Sequence, residues 1–94
     1  MAAVGVLTLE LRLENSHSLK DKRHVVQSLK DRLRTKFNVA VAEIDHQDLW
    51  QRALVAAVTV SSDRAHSERV LQTVEQEASD LLGPQLISAV VEWM

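Results

Sequence analysis

The run VGVLTLELRLE, residues 4–14, alternates strictly between two kinds of side chain. Leu7, Leu9, Leu11 and Leu13 fall on one side, and Val6, Thr8, Glu10 and Arg12 on the other. Successive residues of an extended chain point to opposite faces, so a period of two over this length predicts a strand with one buried face. A helix would scatter the four leucines around its circumference. The first element therefore commits the chain to a sheet that needs a cover.

Two later segments supply that cover. In HSLKDKR, Ser18 followed by Asp21 fits the pattern in which a hydroxyl and an acid satisfy the free amides of a first helical turn. Leu19, Val26, Leu29, Leu33 and Phe37 then recur at helical spacing, and Asn38 is expected to close this helix in a left-handed conformation. In the second segment Val70, Leu71, Val74, Ala78, Leu81 and Leu82 form the apolar stripe. Ser62 or Asp63 caps its start and Gly83-Pro84 ends it. Three further runs, VAVAEID, RALVAAVTVSS and LISAVVEWM, read as strands. The pattern leaves the faces of VAVAEID open, and a bulge near Glu43 is expected there.

The resulting order is βαββαβ over a single domain, residues 1–94. It is the order of the α+β, ferredoxin-like arrangement: a four-stranded antiparallel sheet, spatial order 4-1-3-2, with two helices on one face. The composition agrees with a small aliphatic core, since 46% of residues are apolar but only Phe37, Trp50 and Trp93 are aromatic. The absence of cysteine excludes disulfides, thiolate metal sites and thiol nucleophiles. With two glycines in all there is no glycine-rich phosphate loop, and no cofactor is expected. No apolar run approaches the ~20 residues that span a bilayer, and nothing reads as a signal peptide, so a soluble cytoplasmic protein is expected.

Topology also places the loops. The segments NSHSLK, DHQDLW and GPQ should meet at one end of the sheet, because the first and third strands are neighbours. Two polar clusters converge there: His17 from one, and Asp45, His46, Asp48, Trp50 and Arg52 from the other. EIDHQDLWQR, residues 43–52, is the densest polar stretch of the chain. Three readings fit it. It is a strand connection whose short polar side chains bond to turn backbone, with Arg52 paired to a carboxylate. It is a recognition loop. Or its imidazoles and carboxylates serve metal binding or acid–base chemistry, although no diagnostic ligand or triad spacing is present. Trp50 shares the alternation of Leu54, Ala56, Val58 and Val60 and is expected to cap one end of the core; exposed, it would be a stacking or interface anchor.

The net charge is −2, but seven of the eleven Lys and Arg residues lie between Lys20 and Lys36. Lys20, Arg23, Gln27, Lys30 and Arg34 recur at helical spacing as one stripe. Such a stripe either tracks phosphates or is a solvated flank whose long stems cover apolar surface. The sheet's other face is expected to carry Val6, Thr8, Glu10, Arg12, Val55, Ala57 and Thr59, with no aromatic on which a base could stack. A second copy of the chain is the simplest cover for such a face, so a homodimer is expected.

HSLKDKR, LRTKFNVAVAEIDHQDLWQRA and VSSD together resemble the YlxP-like family of small bacterial proteins, with SLKDKR and DLWQRA the most specific blocks. The resemblance runs from the first strand to at least the second helix. It implies a ferredoxin-like fold and a domain of unknown function, and it brings no catalytic residues. In many bacteria the family's gene stands beside translation initiation and ribosome-binding factor genes, which implies a setting near the ribosome or its RNA. Residues and resemblance together lead to a non-enzymatic, dimeric protein that touches RNA or a ribosomal partner through its first helix. A protein–protein adaptor is the alternative.

Overall fold

The structure is a computed structural model and describes residues 1–94. It contains β1 (Ala3–Arg12), α1 (Leu19–Lys36), β2 (Ala40–Asp45), β3 (Arg52–Ser61), α2 (Arg64–Leu82), a 3-10 turn (Gly83–Gln85) and β4 (Leu86–Trp93). The four strands form one antiparallel sheet in the order β2-β3-β1-β4, which is the expected 4-1-3-2 read from the other edge. No helix is long and apolar enough to cross a membrane.

The leucine alternation does what its period requires. Leu7, Leu9, Leu11 and Leu13 are fully buried, and they join Val26, Leu29 and Leu33 of α1 and Leu71, Val74, Ala78 and Leu82 of α2 in one aliphatic core. Ser18 caps α1 by accepting the Asp21 amide at 3.1 Å, while the Asp21 carboxylate accepts the His17 amide at 3.0 Å. Asp63 caps α2, accepting the Ala65 amide at 3.0 Å. Gly83, at φ 57°, ends that helix in a conformation that a side chain would strain.

Two local expectations need correction. Asn38 is not left-handed; α1 ends at Phe37 in an extended conformation. The Phe37 ring packs on the core and Thr59 donates to the Asn38 carbonyl at 3.3 Å, so the chain turns from α1 into β2 without a left-handed residue.

The faces of β3 are also the reverse of those expected. Leu7 pairs with Ala57, Leu9 with Val55 and Leu11 with Ala53, so Ala53, Val55, Ala57 and Thr59 lie beneath the helices. The β1 leucines already fill that layer, and small neighbours let both helices approach the sheet. Leu54, Ala56, Val58 and Val60 therefore share the open face with Val6, Thr8, Glu10 and Arg12, which makes that face more apolar than expected. The bulge near Glu43 is present, as a shift of register between Glu43 and Asp45.

Candidate functional site

The centre of EIDHQDLWQR is a residue from another part of the chain. Lys22 of α1 is only 1% exposed, and its Nζ donates to the carbonyl of His46 at 2.6 Å and to those of Gln47 and Arg52 at 3.3 Å. Oε2 of Glu43 lies 3.0 Å from the same nitrogen. An ammonium carries three protons, and here three backbone carbonyls take them. The buried Glu43 oxygen lies outside hydrogen-bonding direction and meets Lys22 through charge alone.

This arrangement explains the local backbone. His46 is the only residue other than glycine with a positive φ, 65°. That conformation costs a non-glycine residue about 1–2 kcal/mol. It is held from three sides: Asp45 accepts the His46 amide at 2.7 Å, and the His46 carbonyl accepts both Lys22 and the Leu49 amide, the latter at 3.0 Å. The result is a tight turn fastened to α1.

The loop is joined to the β1–α1 connection by Gln51, not by a pair of histidines. The Gln51 carbonyl accepts the Leu13 amide at 2.8 Å, and its side chain donates to the carbonyls of Ser16 (3.2 Å) and Glu14 (3.4 Å). His17 is exposed and its imidazole makes no hydrogen bond, while His46 stands beside Asp45, with Nδ1 4.0 Å from the carboxylate. No three His, Asp or Glu side chains anywhere in the molecule gather as potential metal ligands. Arg52 pairs with Glu10 on the open face of the sheet. Asp48 is exposed and forms no ion pair.

Trp50 is not a cap on the core. It precedes β3, sits in the loop and is 49% exposed, with Leu49 and Ile44 similarly exposed. The tryptophan that packs on the core is Trp93, whose ring lies 4.5 Å beneath the Arg64 guanidinium. Alternation carried Trp50 onto a β3 face, but the strand begins two residues later.

The seven cations of α1 divide into two sets. Lys22 is buried, Arg32 and Lys36 both bond Glu77 at 3.0 Å, and Arg34 donates to the Val41 carbonyl at 2.9 Å. Hydrogen bonds from Lys36, then Arg32, hold the Glu77 carboxyl below its ordinary pKa. Lys20, Arg23 and Lys30 have no acidic partner, and with His24 they border one shallow depression on α1. Glu43 also lines that depression, but its carboxylate faces Lys22.

The basic stripe runs through the exposed neighbours of Lys22 and leaves Lys22 out. A signal was present: Lys22 lies three residues after Leu19 and four before Val26, inside the apolar stripe. Glu43 lies two residues after Val41 on the strand face that turns toward it.

The chain is 39% identical over 71 residues to the uncharacterized protein YlxP of Bacillus subtilis (strain 168), covering 76% of this chain and 77% of that protein. In structure it is similar to the de novo designed protein Foldit4, with a TM-score of 0.56 at 14% identity, covering all of this chain and 94% of that one. It is also similar to a dimeric ferredoxin-like protein of unknown function from Thermobifida fusca, with a TM-score of 0.50 at 16% identity over 97% of this chain and 90% of that one. The second of these likenesses speaks for the ferredoxin-like fold. The model of DUF503, protein of unknown function, matches residues 4–89, and the chain belongs to that family.

Proposed function

We propose that this is a non-enzymatic binding protein whose α1 face contacts the phosphate backbone of RNA, in the setting of the ribosome. The observation that carries the reading is the division of α1's cations. Four of the seven are held by partners within the protein, while Lys20, Arg23 and Lys30 have none and border one surface depression. Unpaired cations at helical spacing are what a phosphate chain recognises, whatever its base sequence. The exposed Trp50 indole lies in the loop that Lys22 fastens to the same helix, and stacking on such a ring is worth about 1–3 kcal/mol per base. The open sheet face has no aromatic side chain and takes no part in stacking. Titration of a ribosomal RNA fragment across salt concentrations tests this. Three phosphate contacts to a single strand give a slope of log K against log salt of about −2. Binding that ignores salt, or its absence at low salt, would remove the proposal.

A second reading, self-association as an adaptor, is favoured by a separate observation. Leu54, Ala56, Val58 and Val60 lie on a sheet face that no element of the chain covers, and Ile87 and Val90 of β4 are half exposed. A second copy is the cover always present at equal concentration. Sedimentation of the protein at micromolar concentration tests it: a mass of two chains supports it, and a monomer throughout removes it.

A further inference from the structure

The two edges of the sheet are not equivalent. On β2 the outward carbonyl of Val41 accepts Arg34 at 2.9 Å, and that of Glu43 lies 3.5 Å from the Gln47 side-chain amide. The bulge beyond Glu43 interrupts the strand further. Side-chain donors and a bulge are ways in which an edge is closed to another strand. β4 has no such donors, and its one irregularity, a shift of register at Ile87, lies at its start and leaves Ala89 to Trp93 in regular register. The strand is eight residues long, and its only charge is Glu92. Ile87, Val90 and Val91 are 49%, 50% and 39% exposed.

The direction of β4's backbone groups follows from one bond. The Met94 amide donates to the Val4 carbonyl at 3.0 Å, which makes that pair a hydrogen-bonded one in the β1–β4 ladder. Antiparallel ladders alternate, so Glu92 and Val90 also face β1, while Trp93, Val91 and Ala89 turn their N–H and C=O groups to the free edge. No side chain bonds to any of those groups.

From this we infer that the β4 edge is the seam of a two-fold dimer, β4 pairing antiparallel with β4 of a second copy to join two sheets into one of eight strands. The inference rests on the self-association reading above but places the second copy at the sheet's edge instead of over its open face. Ala89, Val91 and Trp93 are evenly spaced about Val91, so the edge is complementary to itself. With Val91 against Val91, Ala89 of each copy meets Trp93 of the other, and every free donor on these residues finds an acceptor. In this register Glu92 stands opposite Val90, so no like charges face each other. The groove behind the edge, floored by Leu71, Val91 and Trp93, has Glu68 and Glu75 at its rim, and Glu68 is already paired with Arg64. The seam therefore brings together apolar surface and unmet backbone, with two unpaired acids, Glu75 and Glu92, on each side.

Sedimentation velocity tests the inference on the wild type, on Val91→Pro, which removes an outward amide, and on Val58→Lys, which charges the open face. The expected masses are about 21 kDa for wild type and Val58→Lys, twice the 10.6 kDa chain, and one chain for Val91→Pro. A dimeric Val91→Pro overturns the edge seam while leaving self-association standing, as does a monomeric Val58→Lys beside a dimeric Val91→Pro. A monomeric wild type removes both. Hydrogen exchange on the wild type gives a reading independent of any substitution. The amides of Ala89, Val91 and Trp93 should become protected as concentration carries the protein from one chain to two, and free exchange in the dimer contradicts the seam.

Discussion

Lys22 and Glu43 form an ion pair of 3.0 Å in which the lysine is 1% exposed, and that pair anchors the β2–β3 turn to α1. Removing one member of a buried pair leaves an uncompensated charge and typically costs about 3–5 kcal/mol. Lys22→Met should therefore destabilise the protein by about that amount, since three carbonyls also lose their donor. Restoring neutrality in Lys22→Met/Glu43→Gln should recover part of the loss, a coupling that urea denaturation of all four proteins measures. Additive losses would mean that the pair is not an energetic unit.

The Glu77 carboxyl is held below its ordinary pKa by hydrogen bonds from Lys36 and then Arg32. A group whose folded pKa is lowered contributes stability above its unfolded pKa, about 4.3 for glutamate, and loses it as pH falls through the folded value. The difference in melting temperature between wild type and Glu77→Gln should thus be constant near neutral pH and shrink below about pH 4. A difference that grew on acidification would contradict the α1–α2 bridge.

The two tryptophans should respond oppositely to truncation. Trp50 is half exposed in a loop, so Trp50→Ala should change stability by no more than about 0.5 kcal/mol. Trp93 packs on the core and carries Arg64 on its face, so Trp93→Ala should cost about 3 kcal/mol. Chemical denaturation of the two variants compares them, and equal losses would place Trp50 in the core after all.

Gly5 is small because two side chains require it. A Cβ there would stand 2.6 Å from Leu71 Cδ1 and 2.9 Å from the Trp93 ring, and both neighbours are packed against the core. Overpacking of this kind costs about 1–3 kcal/mol, so Gly5→Ala should lower the denaturation midpoint accordingly. An unchanged midpoint would show that α2 can retreat from β1 at no cost.

How much of this was legible in the chain depends on the range of the interaction concerned. Periodicity is local, so the β1 alternation, both helix caps and the βαββαβ order could be read directly, and they determine the topology. The faces of β3 could not, because Ala53, Val55 and Ala57 are as apolar as Leu54, Ala56 and Val58; only pairing with β1 decides between them. The same ambiguous alternation, extended past the strand's start at Arg52, puts Trp50 on a β3 face it does not occupy. The clamp on the turn joins residues 24 to 30 positions apart, which no pattern within one element specifies. Its trace was a lysine inside an apolar stripe and a glutamate on a covered strand face.

The division of α1's cations into held and free sets is the central claim, and one comparison tests it most directly. The salt dependence of binding to a ribosomal RNA fragment would be measured for the wild type, for Lys20→Glu/Arg23→Glu/Lys30→Glu and for Arg32→Gln/Lys36→Gln. Loss of three phosphate contacts should flatten the first variant's slope from about −2 toward zero, while the second keeps the wild-type slope because its cations are held by Glu77. Equal losses of slope in both variants, or a wild type without salt-dependent binding, would contradict it.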